Sequence, residues 1–312
     1  MSTKPGSAAP VAGVALVAGV LGAVQPEVNA ELSDRLGSAM VASLVNFLVA
    51  LAVTAVVVAL RPATKDRLRR LPSWPVPRWT LTAGFGGAVV VLAGAVAVDT
   101  IGVAIFSVAF FAGQITFGLL VDRLGVSPGG VRPITAPRVQ AVVLAAVAVV
   151  LAQTGQPVGE FAPGLVAFSV IAGAAVAFQS AFNGRIASAT GDAVAATAVN
   201  VTVGTAALAA IVAALAVAGE LGALHWPGEP WLYTGGALGA SIVLALAAAS
   251  AALGVLRATL TMLGAQLLTA FVVDWIVRGD APTAGVVAGG VLIVVAVARV
   301  GRRAPLARAQ AG

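Results

Sequence analysis

The chain has 312 residues, of which 60% are hydrophobic and 10% charged, and its mean hydropathy is +1.02. A soluble domain carries about 25% charged residues, so too few are present here to cover a water-facing surface. The net charge of +6 lies in short loops and reports membrane orientation, not nucleic-acid binding; without cysteine there is no disulfide or thiolate metal site, and the single histidine, His225, cannot form a cluster.

The apolar residues fall in runs of about 20, the length that crosses a bilayer core. They predict ten spans, at 11–30, 39–60, 79–98, 100–121, 138–153, 162–182, 192–218, 231–250, 252–273 and 283–300. The predicted fold class is an all-α polytopic membrane protein; the alternating ten-residue segments of a barrel are missing. Residues 1–10 form an N-terminal tail, 11–153 a first five-helix repeat, 154–161 an external linker, 162–300 a second repeat and 301–312 a basic tail. Spans three and four meet tightly at Asp99-Thr100, and spans eight and nine near Ala249 to Ala252. The first run has a counterpart deep in the chain, so it reads as a retained span and not as a signal peptide.

Basic residues orient the spans. The loop after span two holds Arg61, Lys65, Arg67, Arg69, Arg70 and Arg78, and the loop after span four holds Arg123, Arg132 and Arg138. Arg299, Arg302, Arg303 and Arg308 close the chain, Lys4 precedes span one and Arg185 follows span six. With both termini cytoplasmic, these 15 of the 18 basic residues are inside. Arg35 and Arg278 fall outside, and Arg257 falls within span nine, where snorkelling accounts for it.

All four asparagines belong to one duplicated pattern. Gln25, Asn29, Gly37 and Asn46 recur as Gln179, Asn183, Gly191 and Asn200, each 154 positions later. Trp74-Pro75, Trp79, Gly87, Gly102, Gln114 and Asp122 recur 152 positions later as Trp226-Pro227, Trp231, Gly239, Gly254, Gln266 and Asp274. Five spans per repeat send the second copy through the membrane upside down. The loop after span two has six basic residues, and its counterpart after span seven has none, as inversion requires. Inverted repeats are the architecture of many alternating-access transporters.

The run Gln-x3-Asn-x7-Gly, the small-residue helix around Asn, and Gly113-Gln114 followed by Asp122 resemble the YdcZ-like family of the drug/metabolite transporter superfamily, which also holds the EamA-like exporters. The second copy departs mildly, with Ala265-Gln266. The resemblance covers roughly 11–300 in a fused two-repeat form. It implies a ten-helix inner-membrane protein that exports small molecules, and it supplies neither a substrate nor a verified set of site residues.

The candidates for a substrate path or gate are Gln25, Asn29, Asn46, Gln114, Gln179, Asn183, Asn200 and Gln266. Gln25 and Asn29 share one helix face, as do Gln179 and Asn183. The competing reading is interhelical glue, each bond worth about 0.6 kcal/mol. By depth, Gln25 and Asn29 lie in the outer third of span one and Gln179 and Asn183 in the inner third of span six, which favours two gates over one central site. Asn46 and Asn200, opening spans two and seven, are placed to cap or bond these pairs. Glu27, which follows Pro26, is a candidate proton-coupling carboxylate; the alternative is an external acidic vestibule with Glu31 and Asp34. Asp122 and Asp274 read as solvated helix ends, and the repeated tryptophans as interfacial anchors. Pro26 kinks span one, and nearby amides are available for the carbonyl it frees.

No Walker loop, zinc motif or nucleophile elbow occurs, so neither hydrolysis nor ATP-driven transport by this chain alone is expected, and no metal or cofactor is called for. The expected partners are the lipid bilayer, a small-molecule substrate and a proton or other coupling ion, with the chain a monomer or homodimer. The leading expectation is a secondary transporter in a bacterial-type cytoplasmic membrane. A non-transporting membrane scaffold is the alternative; an intramembrane enzyme would need an acid pair or nucleophile at one depth, and none is found.

Overall fold

The computed structural model describes residues 8–127, 130–131, 133–152, 154, 162–253, 255–279 and 281–301. Lys4, Arg132, Arg302, Arg303, Arg308, Gly254 and most of the predicted 154–161 linker lie outside these, as do the side chains of Arg257 and Arg278. Among the described residues every regular element is helical: α1 (Ala8–Leu36), α2 (Ala39–Ala59), α3 (Pro62–Arg69), α4 (Gly84–Arg123), α5 (Ala136–Ala152), α6 (Pro163–Thr190), α7 (Ala193–Val217), α8 (Gly235–Leu253), α9 (Val255–Arg278) and α10 (Ala284–Gly301). Four helices, including α2, α6 and α7, are long and apolar enough to cross a membrane among the described residues.

The fourth is α4, which fuses predicted spans three and four. Its 40 residues amount to about 60 Å of helix in all, twice the thickness of a hydrocarbon core. It is broken at Gly102, whose φ of 76° and ψ of 154° are open to glycine alone. The junction therefore lies at Gly102 and not at Asp99-Thr100, because an L side chain at residue 99 or 100 cannot adopt that conformation. Short 3-10 turns, Arg78–Ala83 and Pro230–Thr234, lead into α4 and α8 at equivalent places in the two repeats.

The repeated Gly37 and Gly191 have a structural cause. Both take positive φ, 79° and 66°, and reverse the chain after α1 and α6. The next residue caps the following helix: Ser38 Oγ accepts from Val41 N, and Asp192 Oδ1 accepts from Val194 N and Ala195 N. Ser38 and Asp192 are thus the N-caps of α2 and α7. Asn46 and Asn200 sit two turns inside α2 and α7.

The two repeats interlock. α1 packs on α8 and α9 of the second repeat, α6 packs on α4 of the first, α2 meets α7 and α5 meets α10. Glycine permits the close approaches, at matching positions. A Cβ on Gly173 would overlap the Phe110 carbonyl, and one on its counterpart Gly19 would overlap the Met262 carbonyl. Gly84 lies equally close to the Asn200 carbonyl, and Gly236 to that of Asn46. Small residues let membrane helices approach where apolar lipid gives no drive to association. The largest buried cluster runs along α4, from Ala93 to Ala112, and joins α1, α5, α6, α9 and α10.

Candidate functional site

One cavity of about 510 Å³ lies where α1, α2, α4, α6, α7, α8 and α9 converge. Seven of the eight amide candidates border it: Gln25, Asn46, Gln114, Gln179, Asn183, Asn200 and Gln266. Asn29 does not, although it is buried beside Gly235. Depth counting had separated these residues into two gates. It misjudged the helix ends: α1 runs six residues past predicted span one, to Leu36, and α6 eight past predicted span six, to Thr190. Gln25 of the first set and Gln179 and Asn183 of the second border the same cavity.

Amides of each repeat face glycines of the other. Gln25 Nε2 donates to Gly235 O at 3.1 Å and lies against Gly239. Gln179 and Asn200 lie in the same way against Gly87, the counterpart of Gly239. Proline at position 26 has no N–H for the carbonyl four residues back, and that carbonyl, Gly22 O, accepts instead from Gln266 Nε2 at 3.1 Å. An amide from the opposite repeat therefore repairs the break. In the second repeat Ser180 stands where Pro26 does and keeps its N–H, so Gln114, the counterpart of Gln266, has no freed carbonyl to bind.

Several polar atoms at the cavity have no partner among the described residues. They are both amide atoms of Asn46, Asn200 Nδ2 and Asn183 Oδ1. Asn46 is 1% exposed and Asn200 5%. A buried polar group without a partner costs about 1–3 kcal/mol, so packing alone does not account for them. Phe47, Phe106, Phe110 and Phe111 complete the wall; sequence reasoning missed them, although 106 and 110 are one helical turn apart on span four.

The cavity is not symmetric. It reaches toward the α6–α7 turn through Ser180, Gly184, Ala187, Ala193 and Thr197. At the α1–α2 turn the counterparts Ala30, Ser33, Ala39 and Ser43 do not line it, and only Pro26, the counterpart of Ser180, does. That end is packed by Leu32, Leu36, Val41 and Leu232 and tied by Arg35, which bonds Glu31 at 2.6 Å and Glu229 at 2.7 Å and lies 5.9 Å from the Trp231 ring. The expected acidic vestibule is thus partly neutralised by Arg35. Glu27 is half-buried beside the cavity-lining Pro26, is itself engaged, and is not among the lining residues.

Basic side chains surround the α6–α7 turn. Arg67 Nη1 donates to Asp192 Oδ2 at 3.0 Å, with Thr64 Oγ1 on the same oxygen at 2.7 Å. Burial pushes the Asp192 pKa up, but the bonds from Thr64, Arg67, Ala195 and Val194 outweigh it and hold it below the ordinary carboxylate value. Arg185 donates to the carbonyls of Gly125 and Val126 and lies 5.3 Å from the Trp79 ring. Asp122 is not a solvated helix end: it pairs with Arg138 at 2.8 Å and accepts from Ser127 Oγ at 2.7 Å, because α5 brings Arg138 back to it. Asp274 is half-buried and engaged. Trp79, Trp226 and Trp231 are exposed.

The repeat has an independent counterpart among protein families. The sequence model described as "Putative inner membrane exporter, YdcZ" matches residues 11–151 and again 164–299. The chain belongs to this YdcZ family. Its two matches coincide with the two interlocked halves. That description makes the YdcZ family one of inner-membrane exporters. No curated protein matches the chain.

Proposed function

We propose that this YdcZ-family protein is a secondary transporter that exports a small polar molecule by alternating access. The observation that carries the reading is a cavity built from both repeats and walled by seven carboxamides, three of which (Asn46, Asn183 and Asn200) keep buried atoms without a partner among the described residues. Its volume falls in the range of small-molecule sites, about 300–1,000 Å³. With α4 counted as two crossings about Gly102, the chain has ten spans in two inverted five-span repeats. Both termini are cytoplasmic, because Arg67, Arg138, Arg185 and Arg299 then lie inside.

On this reading the cavity faces the cytoplasm, since it reaches toward the α6–α7 turn where Arg67 and Arg185 sit. The bond of Gln25 to Gly235 O holds the outer end shut. The counterpart pair, Gln179 and the Ala83 carbonyl, shares no bond among the described residues. It forms when the inner end closes, so the two glutamines exchange latches as one half rocks against the other. Glu27, next to Pro26, is the proposed site of proton coupling.

Purified protein reconstituted in proteoliposomes tests this with a panel of labelled metabolites. Gradient-dependent, protein-dependent flux supports transport, and Glu27→Gln then abolishes its dependence on a pH gradient. A protein that moves nothing, and whose amide variants lose stability and no activity, is the scaffold of the rival reading.

A further inference from the structure

A smaller groove of about 210 Å³ lies on the flank of the bundle, between α6 and the start of α4. Thr82, Gly86 and Val89 line one side, and Ala175, Phe178 and Phe182 the other. Each set keeps the three-and-four spacing of one helix face. The rim is open: Phe85 is 53% exposed, Thr82 is exposed, and Phe178 and Phe182 are half-buried. The floor is closed where Gly86 meets α6, since a Cβ there would come within 2.8 Å of the Ala175 carbonyl and of Gln179 Cβ. Both helices are long and apolar enough to cross a membrane, so in a bilayer the groove opens to lipid.

One end of the groove carries charge. Trp79 meets Phe182 edge-on at 4.9 Å, and the Arg185 guanidinium lies 5.3 Å from the Trp79 ring. Arg185 stands one turn beyond Phe182 on the same face of α6. It is half-buried and donates only to the carbonyls of Gly125 and Val126. Among the described residues no carboxylate balances its charge, and its Nη1 has no bond. A guanidinium in that state suits a phosphate, which supplies both the counter-charge and the acceptors. Residues 175 and 185 are about 15 Å apart along the helix, half of a hydrocarbon core about 30 Å thick. Groove and cation together therefore span one leaflet. With both termini cytoplasmic, as proposed above, it is the inner one.

The first repeat's helices do not reproduce this arrangement at the other face. Ala237, Val24 and Val28 stand where Phe85, Phe178 and Phe182 do, and Glu31 stands where Arg185 does. The matching tryptophan, Trp231, is met by Arg35, whose charge Glu31 and Glu229 balance. Such one-sidedness fits a bilayer whose cytoplasmic leaflet carries the anionic headgroups. We propose that the groove binds an anionic phospholipid of the inner leaflet, with one acyl chain against Phe85, Phe178 and Phe182 and the headgroup phosphate on Arg185.

Phosphatidylglycerol and phosphatidylcholine with identical acyl chains differ in net charge and test this on the unaltered full chain. The protein in a non-ionic detergent is given both lipids in equal amounts, and native mass spectrometry counts what it retains. The expected result is one retained phosphatidylglycerol, preferred at least tenfold. Arg185→Gln should lower that preference at least fivefold. Thr82→Trp, at the exposed rim, should do the same by filling the groove while leaving the carbonyl bonds of Arg185 in place. Arg70→Gln removes an exposed cation elsewhere on the same face and should change nothing. The lipid comparison itself needs no variant, so a misfolded mutant does not blunt it. Equal retention of the two lipids overturns the proposal, as does a preference that survives Arg185→Gln or Thr82→Trp. Glycerol 3-phosphate competing as well as the lipid would take the ligand out of the groove and overturn it too. Lipid retention is the readout throughout, so failure here leaves the transport reading standing, and failure of transport leaves this site.

Discussion

Asp192 shows how one side chain serves two ends. It caps α7 through Val194 and Ala195 and holds α3 through Thr64 and Arg67. Asp192→Ala is expected to destabilise the protein by about 1–2 kcal/mol from the lost cap, measured by reversible unfolding in detergent. The pH dependence has a definite sign. The folded pKa is lowered, so the stabilisation is fully present above the unfolded carboxylate value of about 3.9. It drains away as pH falls through the lower folded value. The stability difference between the native protein and Asp192→Asn should therefore be flat at neutral pH and shrink only in acid. The cavity amides behave differently. Gln114→Leu is expected to cut flux by about tenfold or more while hardly changing stability, because its amide bonds nothing among the described residues; a loss of melting temperature with flux retained would return Gln114 to a packing role.

Between helices, a carbonyl freed in α1 is answered from α9. Gln266→Leu removes the partner of the buried Gly22 O and should cost about 1–3 kcal/mol. Pro26→Ala restores the missing N–H, so the double variant should recover most of that loss. A double-mutant cycle measures this coupling, and strict additivity would mean that the 3.1 Å bond carries no weight. Gly236→Val should prevent α8 from docking on α2, since its side chain would occupy the place of the Asn46 carbonyl; the readout is loss of a monodisperse folded species in detergent.

Much at this level was legible in the sequence. Gly37 and Gly191 recur because each ends a helix at positive φ, and Gln25, Asn46, Gln179 and Asn200 recur because each meets a glycine of the other half. What could not be read was which helices touch. Hydropathy gives the length of an apolar run but no packing partner, so the meeting of α1 with α9 and of α6 with α4 stayed hidden, and with it the shared cavity. Hydropathy also stops where polar residues begin, and α1 and α6 continue as helices past that point. The α4 break was misplaced by two or three residues because Gly102 is apolar by composition and special only in its backbone.

In the whole molecule, pseudo-symmetry of sequence coexists with asymmetry of shape. The α1–α2 end is packed and tied by Arg35, while the cavity extends to the α6–α7 end. Two interlocked repeats with equivalent surfaces can exchange these roles, which is the physical basis of the proposed cycle. If Gln25 is the latch of the closed end, Gln25→Leu should shift the population toward the state open at the other face, and a ligand-free transporter would show it.

Because the chain has no cysteine, single cysteines report on that exchange without background. Ala187→Cys, on the open side, and Ser33→Cys, its counterpart on the closed side, are labelled from the cytoplasmic and external faces with a membrane-impermeant thiol reagent. Alternating access predicts that residue 187 labels from the cytoplasm and residue 33 resists labelling from outside, and that Gln25→Leu lowers the first rate and raises the second. Rates that do not change together, or residue 33 closed under every condition, would contradict it.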